Sequence, residues 1–174
     1  MPIWTIGHST RTFAELVALL RDNGIERLAD IRRYPGSRRY PHFSRESLER
    51  ELPKESIDYV HLVDLGGRRK ALPDSRNMGL HNEQMRGYAD YLPTEPARKG
   101  IEFLLEGKQQ TAVMCAEAVP WRCHRNLLAD ELVRRGVEVL HIIGKGQTKP
   151  HTLSTLARVE NDRIVYGEPV QLSL

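Results

Sequence analysis

The sequence has only two cysteines, Cys115 and Cys123, among 174 residues, so no disulfide framework can carry the fold and a hydrophobic core must do so. Aromatic residues are sparse at 6%. No apolar run approaches the roughly 20 residues needed to cross a bilayer, and residues 1–7 enter a strand pattern without a signal-peptide profile. A cytoplasmic protein without a membrane partner is therefore expected. There is no GxGxxG and no Gly-rich loop ending in Lys-Ser/Thr, which leaves no standard dinucleotide or ATP site. CxxC is missing too, and with it the strongest zinc signature. The net charge of +3 is too small by itself to call for nucleic acid.

What is present suits one globular domain over 1–174: 40% hydrophobic residues, mixed charges, and no repeat or linker. Short apolar runs at 2–7, 26–31, 57–63, 111–115 and 137–143 read as strands, separated by segments of helical period. Thr12 and Glu15 have capping-box spacing ahead of Phe13, Leu16, Val17 and Leu20. Helices are also expected at 45–52, 82–92, 96–105 and 121–135, the last placing Trp121, Leu128 and Leu132 on one face. The alternation predicts an α/β fold, a three-layer sandwich on a mainly parallel five-stranded sheet, with a C-terminal hairpin from 156–160 and 163–166.

Parallel strands deliver their outgoing loops to one sheet edge, and the reactive residues follow those strands. That edge collects His8 and Ser9, Asp30 and Arg32, Cys115 and Glu117, and the loop 144–148. Residues 32–45 contain Arg32, Arg33, Arg38, Arg39 and Arg45 without one acid, interleaved with Tyr34, Tyr40, His42 and Phe43. Guanidinium groups neutralise phosphates and aromatic rings stack on bases, so a nucleotide or nucleic-acid partner is expected. A second loop, 65–80, adds Gly66, Gly67 and Arg68, backbone freedom beside cations. The first loop also admits a plainer account, as solvated basic surface whose tyrosines pack down, and the Gly-Gly pair of the second is weak evidence alone.

The expected chemistry is hydrolysis or group transfer on a phosphate-bearing nucleotide or nucleic acid. Glu117 and Asp30 are the candidates for handling water or protons, assisted by His124 and His8. Ser9, Arg32, Arg33, Tyr34, Arg38, Arg39, Gly66, Gly67, Arg68 and Arg125 are the candidates for holding substrate. Cys115 is a candidate nucleophile beside a helix start, or with Cys123 shapes the pocket. No cofactor is required, although Cys115, Cys123 and His124 offer zinc the ligand types it accepts. Structural roles compete throughout: Glu117 as a helix cap, Asp30 as an anchor for Arg32 or Arg125, His124 as an interior imidazole. A non-catalytic nucleic-acid-binding module would use the same arginines.

Five motifs carry a resemblance: TIGHS at 5–9, DIRRYPGSRR at 30–39, YVHLVDLGG at 59–67, MCAEAVPWRCHR at 114–125 and EVLHI at 138–142. Together and in this order they resemble the bacterial and archaeal domain-of-unknown-function 488 family. The resemblance implies a compact single-domain α/β protein that clusters His8, Asp30, Arg32, Cys115, Glu117, Cys123, His124 and Arg125. It implies no reaction.

Overall fold

The computed structural model describes residues 1–167. β1 (Ile3–Gly7) leads through α1 (Phe13–Asp22) to β2 (Arg27–Asp30), then through α2 (Arg45–Glu51) to β3 (Asp58–His61). After a long loop, α3 (Glu83–Tyr91) and α4 (Glu95–Glu106) return the chain to β4 (Thr111–Cys115). α5 (Arg125–Arg134), β5 (Val139–Gly144) and β6 (Gln147–Pro150) follow, and β7 (Ala157–Glu160) and β8 (Arg163–Tyr166) form a separate two-stranded hairpin.

The main sheet runs β3-β2-β4-β1-β5-β6, with the first five strands parallel and β6 antiparallel to β5. It has six strands rather than the expected five. The sixth was hidden because Gln147–Pro150 is polar and exposed throughout, with no period-2 apolar signal. Instead of leaving as a loop at 144–148, the chain turns at Gly146, where φ is +64°, and folds back along β5. Lys149 and Pro150 suit a solvent-facing edge.

Two apolar layers sandwich the sheet. Leu16 and Leu20 of α1 and Leu48 of α2 pack with Leu28, Met114 and Ile142 on one face. Tyr88, Ile101, Leu128 and Leu132 from α3, α4 and α5 pack with Ala29, Val113 and Val139 on the other, joined by Ile164 and Tyr166 of the hairpin. Alternate strand residues thus serve opposite layers, as the pleat dictates. Thr12 caps α1 with the reciprocal Glu15 bond foreseen from their spacing, a device worth about 1 kcal/mol. The hairpin turns at Asn161 and Asp162, both with positive φ, as a two-residue turn matching strand twist requires.

One expected element differs. The helix predicted over 121–135 is broken: Pro120–Arg122 is a 3-10 turn, Cys123 is extended at φ −139°, ψ 168°, and α5 begins at Arg125. Trp121 is consequently 58% exposed rather than aligned with Leu128 and Leu132.

Candidate functional site

The parallel register sets Gly7 beside Cys115 and Asp30 beside Met114, so the carboxyl ends of β1, β4 and β2 lie abreast. Beyond those ends the pairing continues, since the His8 and Ser9 backbone N–H groups donate to the carbonyls of Cys115 and Ala116, each at 2.9 Å. The chain after β4 then crosses so close above Gly7 that a Cβ there would lie 1.7 Å from the Glu117 carbonyl oxygen. Only glycine admits that crossing. From the other side Arg125, 1% exposed, donates to the carbonyls of Glu117 at 2.9 Å and Ala118 at 3.3 Å. Arg125 therefore shapes the loop rather than lining the space above it.

Asp30 is fully enclosed and its carboxylate is saturated. Oδ1 accepts from the Arg32 backbone N–H at 3.0 Å and side-chain Nε at 2.9 Å; Oδ2 accepts from an Arg32 terminal nitrogen and the Tyr59 hydroxyl, both at 2.7 Å. Burial and Asp30's charge both hold that phenol in its protonated form. Arg32 also donates to the Phe43 carbonyl at 2.7 Å and approaches His8 Nε2 at 3.4 Å. Because His8 Nδ1 must donate to the Ser9 carbonyl at 2.9 Å, Nε2 carries the lone pair facing Arg32. Burial, with Arg32 adding to it, lowers the His8 pKa to about 4, so the ring is neutral at pH 7.

In front of this cluster opens a cavity of about 310 Å³, within the range of small-ligand sites. Arg32, Arg33, Arg68 and Arg122 contribute to its wall, together with Tyr34 and Glu117, and both cysteines and His124 also line it. Tyr34, 63% exposed, has the guanidinium carbons of Arg33 and Arg68 at 5.6 and 5.8 Å from its ring centre. Arg33 is steered by donating to the Arg68 carbonyl at 2.9 Å, and Arg68 holds a positive φ of 57° that places it at the rim. Glu117 is exposed, and its carboxylate makes no ion pair or hydrogen bond among the described residues.

The two sulfurs lie 3.3 Å apart. Extended backbone at Cys123, interrupting what would otherwise be one helix, sends its side chain back to the end of β4. The Cys123 pKa falls to about 6, because of its hydrogen bond with the Cys115 sulfur and because the Arg125 charge and backbone N–H lie near, against the opposing effect of burial. Cys115 moves the other way, held protonated by that same hydrogen bond and by burial. His124 stands edge-on to Tyr88 at 4.8 Å between ring centres, its Nε2 buried without a partner among the described residues, and burial lowers its pKa to about 4. Gly67 passes against that ring, where a Cβ would meet Nδ1 at 2.7 Å.

Of the residues singled out from sequence, Arg32, Arg33, Tyr34, Gly67, Arg68, Cys115, Glu117, Cys123 and His124 share this cavity. Asp30 and His8 do not line it and connect to it through Arg32. Ser9, Gly66 and Arg125 are structural neighbours, while Arg38 and Arg39 are exposed elsewhere, the latter over Tyr40. Sequence reasoning overlooked Arg122, Asn82 and Gln84, which complete the wall. The polar run at the start of α3 was the only signal for Asn82 and Gln84, and Arg122 stands inside the motif at 114–125. Among the described residues no group of three or more His, Cys, Asp or Glu is arranged to hold a metal ion.

A family model described as "Domain of unknown function DUF488" matches residues 12–132. No curated protein and no solved structure matches the chain.

Proposed function

Because the chain belongs to the DUF488 family, whose description names no reaction, we propose a function from the site itself: hydrolysis or group transfer on a phosphate-bearing nucleotide or nucleic-acid end. The observation that carries this reading is the gathering of four arginines, an exposed tyrosine and an unpaired glutamate around one cavity. Arg33, Arg68 and Arg122 bind phosphate oxygens. Tyr34 supplies a face on which a base stacks. Glu117, whose carboxylate has no partner among the described residues, accepts the proton of the attacking water or hydroxyl. Asp30 and His8 hold Arg32 in place and do not touch substrate.

The test is a turnover screen of nucleoside phosphates and short single-stranded DNA and RNA, wild type beside Glu117→Gln. Loss of product with retained binding supports the assignment; equal turnover removes Glu117 from it. A second reading, a binding module without chemistry, is favoured by Arg38 and Arg39, which are exposed outside the cavity on the same arginine-rich segment as Arg32 and Arg33. Salt-sensitive binding with no product from any substrate would select it.

A further inference from the structure

We propose that Cys115 and Cys123 form a redox-active dithiol that reduces a small, carboxylate-bearing disulfide in the arginine-lined cavity. This goes beyond the phosphate reading and does not depend on it, since it rests on the sulfurs and their setting. Three observations carry it. The sulfurs are 3.3 Å apart, and roughly a further 1.2 Å of approach brings them to bonding distance. Both line a cavity open to solvent, so a small oxidant reaches them although each is more than nine-tenths buried. The chain has no other cysteine, so a mixed disulfide on one thiol is resolved within the molecule by the other.

The setting distinguishes the two partners. Cys123 lies just before the N-terminus of α5, where backbone N–H groups and the Arg125 charge favour a thiolate. Cys115, at the end of β4, is the protonated partner aimed at it. In the first step the Cys123 thiolate attacks one sulfur of the substrate disulfide. The substrate's S–S bond breaks, a Cys123–substrate disulfide forms, and one substrate thiolate leaves and takes a proton from water. In the second, Cys115 gives its proton to water and attacks the Cys123 sulfur. A Cys115–Cys123 bond forms and the second substrate thiolate is expelled and protonated. The protein dithiol loses two electrons and the substrate disulfide gains them. Arg33, Arg68 and Arg122 select the substrate, because guanidinium groups pair with carboxylates.

The reduced full-length protein is mixed at pH 7 with oxidised glutathione, or with cystamine as a cationic disulfide, then acid-quenched, alkylated and weighed intact. The expected product is one intramolecular disulfide with the circular dichroism of the native fold retained. Cys115→Ser should stop with one glutathione on Cys123, and Cys123→Ser should react at least about tenfold more slowly. Glutathione disulfide should outpace cystamine by about tenfold, a preference lost in Arg68→Ala/Arg122→Ala. Resistance of the folded wild type to oxidation, or glutathione landing on Cys115 of Cys123→Ser at the wild-type rate, overturns the dithiol. Equal rates for the two disulfides overturn the substrate class. The Glu117→Gln screen bears only on the phosphate reading, so the two fail separately.

Discussion

Asp30 and Arg32 meet through two parallel hydrogen bonds, Oδ1 to Nε at 2.9 Å and Oδ2 to a terminal nitrogen at 2.7 Å, with the carboxylate wholly enclosed and Arg32 only 8% exposed. A buried bidentate pair of this kind orients a guanidinium; it leaves the acid no lone pair with which to take a substrate proton. Removing one partner strands the other charge. Arg32→Met should therefore cost about 3–5 kcal/mol in chemical denaturation, whereas Tyr59→Phe, which removes one of four bonds to Asp30, should cost about 1 kcal/mol. Equal, small effects of both changes would mean that the pair does not organise this rim.

The arginines divide by position. Arg68 and Arg122 line the cavity, while Arg38 and Arg39 are exposed outside it. With a single-stranded oligonucleotide as ligand, the slope of log affinity against log salt should shrink by roughly 0.7 for each phosphate that Arg68→Ala or Arg122→Ala leaves without its guanidinium. Arg38→Ala and Arg39→Ala should leave affinity for a mononucleotide within about twofold, because that ligand fits inside the cavity. Fluorescence anisotropy titrations at several salt concentrations measure both. The reverse ranking would move the binding site onto the exposed loop.

Elements whose signals are local were legible in the sequence. The parallel strands showed as apolar runs, the Thr12 cap as its spacing with Glu15, and the terminal hairpin as two β-prone stretches around Asn161 and Asp162. The gathering of Arg32, Cys115 and Glu117 at one edge followed from parallel topology alone. What escaped depends on tertiary structure. The extended Cys123 sits inside a sequence of good helical period, and it is the approach to Cys115 that makes sense of the break. Asp30 reads from sequence either as a catalytic carboxylate or as an anchor for Arg32, and nothing in the sequence shows that Tyr59, 29 positions later, completes its bonding. β6 escaped because an exposed edge strand has no buried face to imprint a pattern.

Three histidines make folding pH-dependent. Burial is the first cause in each case, lowering His8 and His124 to about 4 and His141 to about 3 from an ordinary 6.5. Between those values and 6.5 the unfolded chain binds protons that the folded protein refuses. The associated stability is fully present above pH 6.5 and is lost as pH falls toward 4, at up to about 1.4 kcal/mol per pH unit for each ring. Unfolding at pH 5 should accordingly take up about three protons through these rings. The dependence of the denaturation midpoint on pH from 7.5 to 5 measures it. A flat midpoint over that range would contradict neutral, buried imidazoles.

A buried polar chain runs from Asp130 through His151 and His141 to Thr5. Asp130, fully buried, only accepts, so His151 Nε2–H donates to Oδ1 at 2.8 Å. His151 Nδ1 and His141 Nε2 share a hydrogen bond of 2.9 Å, and His141 Nδ1 shares one of 2.6 Å with the Thr5 hydroxyl. The Ser154 backbone N–H and the Tyr166 hydroxyl also donate to Asp130, at 2.9 and 2.8 Å, tying the segment after β6 and the terminal hairpin to α5. Asp130→Asn keeps the shape but removes the charge and replaces one acceptor oxygen with an NH2 group, so either the Tyr166 hydroxyl turns from donor to acceptor or a buried donor faces another donor, and the charge-assisted bonds are lost in both cases. A loss of about 1–3 kcal/mol is expected, with amide hydrogen exchange accelerating first in residues 151–166. If protection there is unchanged while the rest of the sheet loosens, the Asp130 chain braces the core strands and not the hairpin.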